Sequence, residues 1–421
     1  MNYNKIVQGI LDIGEAMLQS GAENFRLEDS FYRMCRSYGF KRSDVFVIPS
    51  NIQVTVETPE GEIITQIRHI ESSEPNFDQL DYLNNLCRYV CQHTPDENEM
   101  REKYLEVINR EPQKRITRYA AGIMGGTGFA VFFGCNLRDA VIAFIVSVMI
   151  VAVGDWLAKR ESNLLVYNGI LAFISEVIII GALKMGIADH PDRIMIGIVM
   201  LLISGLSTTN GIRDLLQRDF ISGFINIMNS FLGAAGIAFG IGLAIILFHE
   251  GYSDHFILNH SVPIQLLSCT VACTGFALWF KIRGKQVWYN SIGAFFTWAI
   301  YVAVYAVKPS NFLATMIAAG FVGFYAFIMS RVNKAPSTIF LTASVFPLIP
   351  GPNLYYVMYG CVSQDPKMVF NETIILLATC LAIAFGFIIV DVASRSIMHA
   401  MKREYHISKS ALNLPLIGGK K

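Results

Sequence analysis

Residues 221–248 read ISGFINIMNSFLGAAGIAFGIGLAIILF and contain no Asp, Glu, Lys or Arg. A helix crosses the hydrocarbon of a bilayer in about 20 mostly apolar residues, and a globular core rarely covers every face of one so long. A second uncharged stretch, Ala335–Gln364, repeats the signal. Working outward from these two, about ten candidate spans can be read, near 119–135, 139–157, 163–183, 194–210, 221–248, 262–280, 286–306, 311–330, 337–362 and 369–396. A hydrophobic share of 53% and a mean hydropathy of +0.43 agree with lipid as the main solvent. The predicted fold class is an α-helical polytopic membrane protein.

Upstream of the first span the chain changes character. Residues 1–118 hold 14 Lys+Arg against 19 Asp+Glu, and residues 119–421 hold 20 against 14. The first stretch therefore reads as a solvated domain. Apolar residues at Ile6, Ile10, Ile13 and Met17 follow helical spacing up to Ser20-Gly21, and a second helix runs from about Asn24 to Tyr38, where Gly39 stops it. Asp44–Ile48, Ile52–Glu57 and Ile63–His69 read as strands, with Pro59-Glu60-Gly61 as a hairpin turn. Helices near Phe77–Cys91 and Asp96–Asn109 complete an α+β unit. No phosphate loop or nucleophile elbow appears, and the acidic balance argues against nucleic acid as a partner. The cluster Glu23, Arg26, Glu28, Asp29 is open to two readings, a substrate or acid/base site, or ion pairs on an exposed helix.

The start, Met1–Met17, lacks a basic flank, a continuous apolar run and a cleavage site, so no signal peptide is expected and the N-terminus stays in the cytosol. With that end inside, nine Lys and Arg of the short loops, among them Arg213, Lys281 and Arg283, fall on the cytoplasmic side and five, among them Arg138 and Lys367, fall outside. An even number of spans also returns Lys402-Arg403 to the cytoplasm. The expected layout is a cytoplasmic domain at 1–118, five-helix membrane units at 119–250 and 260–398, and a cytoplasmic tail at 399–421.

Leu202-Ile203-Ser204-Gly205 and Leu348-Ile349-Pro350-Gly351 match at an offset of 146, and Asp219 and Asp365 follow at that same offset. The alignment equates spans one to five with six to ten. Five being odd, the halves would be inverted repeats, a plan in which interrupted helices meet near the midplane and hold substrate. A rival match, Val166-Tyr167-Asn168 with Trp288-Tyr289-Asn290, has an offset of 122 and implies a parallel arrangement. The first is preferred because Pro347, Pro350, Gly351 and Pro352 break a helix inside an apolar stretch. Candidate substrate-binding residues are Ser204, Gly205, Ser207, Thr208, Thr209, Asn210, Arg213 and Asp214 in the first half, and Pro350, Gly351, Pro352, Asn353 and Tyr356 in the second. The plain alternative is Ser/Thr bonding back to its own helix and Gly allowing close packing.

Glu176 is the deepest ionisable residue in this reading and the candidate for proton coupling; the alternative is a paired structural acid. Asp155, Arg213, Asp214 and Asp391 lie nearer the cytoplasmic ends. No metal or cofactor is expected: Cys87/Cys91 and Cys269/Cys273 lack further ligands nearby, and His249, Glu250, His255 and His260 read as a polar outer loop.

With these residues in view, the chain resembles the threonine/serine exporter family over nearly its whole length. Gly21-Ala22-Glu23 with Arg26 and Glu28 is similar to its N-terminal motif, and Thr209-Asn210-Gly211-Ile212-Arg213-Asp214-Leu215-Leu216 with Asp219 and Ser222-Gly223 to its membrane signature. Pro347-Leu348-Ile349-Pro350-Gly351 and Tyr355 resemble the Pro-Gly motif of its C-terminal half; Ser204-Gly205 departs from the Pro-Gly pair that related first halves carry. The resemblance implies a fused single chain in the inner membrane, not an enzyme, exporting threonine and serine on the proton motive force. Its expected partners are protons, the small-molecule substrate and membrane lipid. A homo-oligomer is left open. The alternatives are a dicarboxylate (succinate) exporter, a membrane-bound hydrolase working through residues 1–118, and a sensor.

Overall fold

A computed structural model describes residues 2–70, 74–161, 163–203, 207, 211–212, 214–215, 218–248 and 261–412. The N-terminal stretch folds as α1 (Tyr3–Gln19), α2 (Asn24–Ser37), β1 (Arg42–Ile48), β2 (Asn51–Glu57), β3 (Ile63–His69), α3 (Phe77–His93) and α4 (Glu97–Ile108). The strands pair antiparallel in the order β1-β2-β3, with Val45 opposite Val54 and Val54 opposite Gln66. Strand alternation puts Ile52, Val54 and Val56 on the covered face, and the 3.6-residue period of α1 turns Ile6, Ile10 and Ile13 toward the same core. Side chains of Asn2, Asn76 and Asp96 cap the starts of α1, α3 and α4 by accepting from amides of the first turn.

The remainder is helical: α5 (Arg115–Phe132), α6 (Leu137–Leu157), α7 (Leu164–Lys184), α8 (Pro191–Leu202), α9 (Phe220–Phe248), α10 (Val262–Trp279), α11 (Lys285–Val307), α12 (Asn311–Asn333), α13 (Ser337–Val345), a 3-10 turn (Phe346–Leu348), α14 (Gly351–Val362) and α15 (Pro366–Leu412). Among the described residues seven helices are long and apolar enough to cross a bilayer: α6, α7, α9, α10, α11, α12 and α15 as far as Ser394. Their outward faces carry bare apolar side chains such as Phe224, Phe231 and Phe239 of α9, which water would not tolerate in such number and lipid does. The chain is a multi-pass α-helical membrane protein.

Two expected spans differ from the helices found, and a third carries the interruption its prolines predict. The first begins at Arg115 and ends at Phe132, because the following turn places Gly134 at φ 104. The fourth stops at Leu202, well short of 210. The ninth, expected over 337–362, is divided by Ile349-Pro350.

Both divided segments sit in the same register. Pro191–Leu202 and Ser337–Leu348 are offset by 146 at each end, as are the starts of α9 at Phe220 and α15 at Pro366. Ile203 (φ −76, ψ 130) and Ile349 (φ −67, ψ 127) turn out of their helices with nearly one geometry. Arg218 and Gln364 are both left-handed, at φ 69 and 56. The amides of Asp219 and Asp365 then donate to the carbonyls of Asp214 and Gly360, each at 2.9 Å. The Asp219 and Asp365 carboxylates accept from the amides of Ser222 (3.3 Å) and Met368 (3.1 Å). Helix pairing repeats as well: α9 packs on α7 and α15 on α12. A Cβ on Gly240 would run into the Gly169 carbonyl, and one on Gly386 would stand 2.6 Å from the Met316 carbonyl.

The N-terminal unit rests on the turn between α10 and α11. The Phe77 amide donates to the Phe280 carbonyl (3.0 Å), Lys281 pairs with Glu74 (3.1 Å), and the Gln286 side chain donates to Asp81 (2.9 Å).

Candidate functional site

Helix interruption leaves backbone groups without their i−4 partners, and in lipid each must find another. In the second half the cause is local. Pro347, Pro350 and Pro352 have no N–H to offer the carbonyls of Ala343, Phe346 and Leu348, and Pro350 holds Ile349 in the extended region. The Ile349 amide turns to the Phe346 carbonyl instead (3.1 Å), and Gly351 opens α14. In the first half α8 ends without proline. There the Asn168 side chain on α7 reaches across, its Nδ2 donating to the carbonyls of Leu202 (3.5 Å) and Gly233 (3.3 Å).

The two interruptions lie together. Met200, in the last turn of α8, fills the space over Gly351 so closely that a Cβ there would overlap its sulfur. Behind them Phe276 stacks on Phe346 with ring centres 4.0 Å apart, and Phe129 closes the cluster, so α5 and α10 form an apolar wall under the second turn. Tyr355 is fully buried on α14 and Tyr356 nearly so.

Of the residues nominated from sequence, Ser204, Gly205, Thr208, Thr209, Asn210 and Arg213 lie outside the described residues, as do His249, Glu250, His255 and His260. Ser207 and Asp214 are helical, and the Asn226 side chain on α9 donates to the Asp214 carboxylate (3.1 Å). Pro350, Gly351, Pro352 and Asn353 cluster at the start of α14. Asn353 Nδ2 donates to Glu372 Oε2 on α15 at 2.7 Å. Glu176 is completely enclosed within α7. Sequence reading passed over Asn168 and Glu372: Glu372 stands inside the tenth apolar stretch and was discoverable as an acid there, whereas Asn168 drew notice only as part of the rival repeat.

The N-terminal cluster is partly helix-surface ion pairing, with Arg26 on Glu23 (3.0 Å) and Arg33 on Asp29 (2.7 Å). An exposed-helix reading nevertheless fails for Glu23, whose side chain is only 14% exposed and meets α13: the Thr338 hydroxyl at the start of that helix donates to its carboxylate (3.2 Å). Glu28 accepts from the Val47 amide (3.3 Å). Burial pushes its carboxyl above the ordinary 4.5; the Val47 hydrogen bond opposes this and the negative charge of Asp219 adds to it. No group of three or more His, Cys, Asp or Glu is placed to hold a metal among the described residues.

Comparison with known proteins fits this architecture. Residues 8–248 match the family described as "Putative threonine/serine exporter", and residues 265–393 match "Threonine/Serine exporter, ThrE". A threonine/serine exporter of Corynebacterium glutamicum is 23% identical over 400 residues, 91% of this chain and 81% of its own length. A protein described as "Probable threonine/serine exporter" in Mycobacterium tuberculosis is 21% identical over 409 residues, 92% of this chain and 76% of its own. No solved structure gives a significant match. Together the two family matches cover residues 8–248 and 265–393, so the chain belongs to the threonine/serine exporter family, with both parts fused in one polypeptide.

Proposed function

We propose that the protein is a secondary exporter of threonine- and serine-type amino acids, driven by the proton motive force. The observation that carries the reading is the meeting of two interrupted helices at Met200 and Gly351. Backbone groups freed there, with Asn353, Tyr356 and the hydroxyl-rich segment 204–210, suit a guest bearing both an ammonium and a carboxylate. Arg213 answers the carboxylate and Glu176 carries the proton. The shared offset of 146, the paired dihedral angles and the repeated helix contacts support two inverted five-helix repeats. In that scheme α5, the α8 segment and the α13–α14 segment join the seven long helices to make ten spans. Both termini lie in the cytoplasm of an inner-membrane protein, residues 1–118 form the cytoplasmic domain, and one repeat rocks against the other.

The test is efflux from proteoliposomes preloaded with L-threonine, L-serine or succinate under an imposed pH gradient. Threonine and serine leave; Asn353→Ala slows them by about tenfold or more, the cost of a charge-assisted hydrogen bond. Glu176→Gln abolishes gradient-driven flux and spares exchange. Flux of succinate alone would transfer the reading to dicarboxylates, and no flux of any of the three removes it.

A further inference from the structure

Away from the two helix interruptions lies a second feature, the charged cavity where the N-terminal unit meets α13. It has a volume of about 320 Å³ and opens between α2, α3 and Thr338, the size of a small-metabolite site. Its two long walls differ in chemistry. On the α2 side stand Glu23 and Asp29, each already paired with an Arg of its own helix. On the α3 side stand Asn84, whose Nδ2 is buried without an acceptor, and Arg88, which makes no ion pair among the described residues. A buried donor left empty is destabilising, so Asn84 points to a missing acceptor. The cavity therefore offers a hydrogen-bond donor and a cation on one wall, and on the other two carboxylate–guanidinium pairs, Glu23 with Arg26 and Asp29 with Arg33, which line it together.

We propose that this cavity is a second binding site for a free zwitterionic amino acid, its carboxylate on Asn84 and Arg88 and its ammonium against Glu23 and Asp29. A dicarboxylate brings no ammonium to those two acids and forgoes that contact. The choice of an amino acid rests on the exporter reading above. Glu23 also holds Thr338, and the segment from Ser337 to Leu348 carries straight to the break about 18 Å away. The site thus sits where cytosolic substrate can bear on the half-helix before it reaches the membrane centre.

Cys91 lines the cavity and is partly exposed, while the other described cysteines are buried except Cys361. In full-length Cys361→Ser protein, alkylation of Cys91 therefore reports occupancy. With no gradient imposed, L-threonine slows this labelling by roughly tenfold at about ten times its Kd, because only the empty site reacts. Asn84→Leu and Arg88→Ala lose the protection, and Asn353→Ala at the break keeps it. Asp29→Asn, which preserves shape, weakens it. Absence of protection, equal protection by succinate, or protection that survives both Asn84→Leu and Arg88→Ala overturns the proposal; so does protection abolished by Asn353→Ala alone, which would assign the effect to the membrane site. Protection without vesicle flux leaves this site standing and removes the exporter reading, and flux without protection does the reverse.

Discussion

The interruption after α8 and the one after α13 share a backbone turn but reach it by different means. At Ile349 three prolines within six residues remove donors, and Pro350 forces its neighbour out of the helical region, so the turn is inherent in the local chain. At Ile203 nothing in the adjoining Leu202 or Ser204 forbids another helical turn. Asn168 reaching from α7 and the packing of Met200 beneath Gly351 hold the helix end there. One shape is thus dictated by covalent geometry in one half and by neighbours in the other.

The largest effect is expected where both halves depend equally on close helix approach. Gly240→Leu and Gly386→Leu each drive a side chain into backbone, of α7 and α12 respectively, and should cost about 3 kcal/mol or more. Thermal unfolding of the purified protein measures this, and a deep loss in one variant alone would break the parallel. Next, Pro350→Ala restores an N–H and lets the helix run on, so vesicle flux should collapse while thermal stability holds; Ser204→Pro should leave thermal stability unchanged, because Ile203 already has the backbone a following proline demands. Flux that survives Pro350→Ala would show that the second turn is not needed.

Asn168→Ala separates the halves. It removes the donor to Leu202 and Gly233 and should destabilise by about 1–3 kcal/mol, with amide exchange rising around residues 199–203 and unchanged around 345–349. The smallest effect belongs to Glu28, beside Asp219 of the first half. Its carboxyl titrates above 4.5 in the folded protein, so the native state holds its proton more tightly than the unfolded chain. Stability is then lost as pH rises through that range. Glu28→Gln should raise the melting temperature at pH 7 by an amount worth under ~1 kcal/mol, since water still reaches the group, and the gain should vanish below about pH 4. A gain that persists in acid would assign the effect to packing.

The α+β unit was legible nearly to the residue. Strands at 44–48, 52–57 and 63–69 came from β-branched alternation and a Pro-Glu-Gly turn, and they form β1–β3 within two residues. Those cues are local. The division of the ninth apolar stretch was readable from Pro350-Gly351 for the same reason. Less legible were the contacts that span long separations: Glu23 with Thr338 is 315 residues apart, and no spacing rule links α2 to α13. Asn353 was nominated for its place beside a break, but its partner Glu372 was passed over because one acid near the end of an apolar run looks like a boundary.

Composition and periodicity by themselves determined the lipid-embedded helices, the α+β unit before them and the proline-made turn, because hydrophobic length, strand alternation and missing N–H groups act on neighbours along the chain. Only the tertiary structure decided where α8 ends, which glycines must stay bare against α7 and α12, and that Glu23 of the N-terminal unit meets α13. Each of those depends on atoms brought together through space, where a carbonyl at the end of one helix takes its hydrogen bond from a side chain on another.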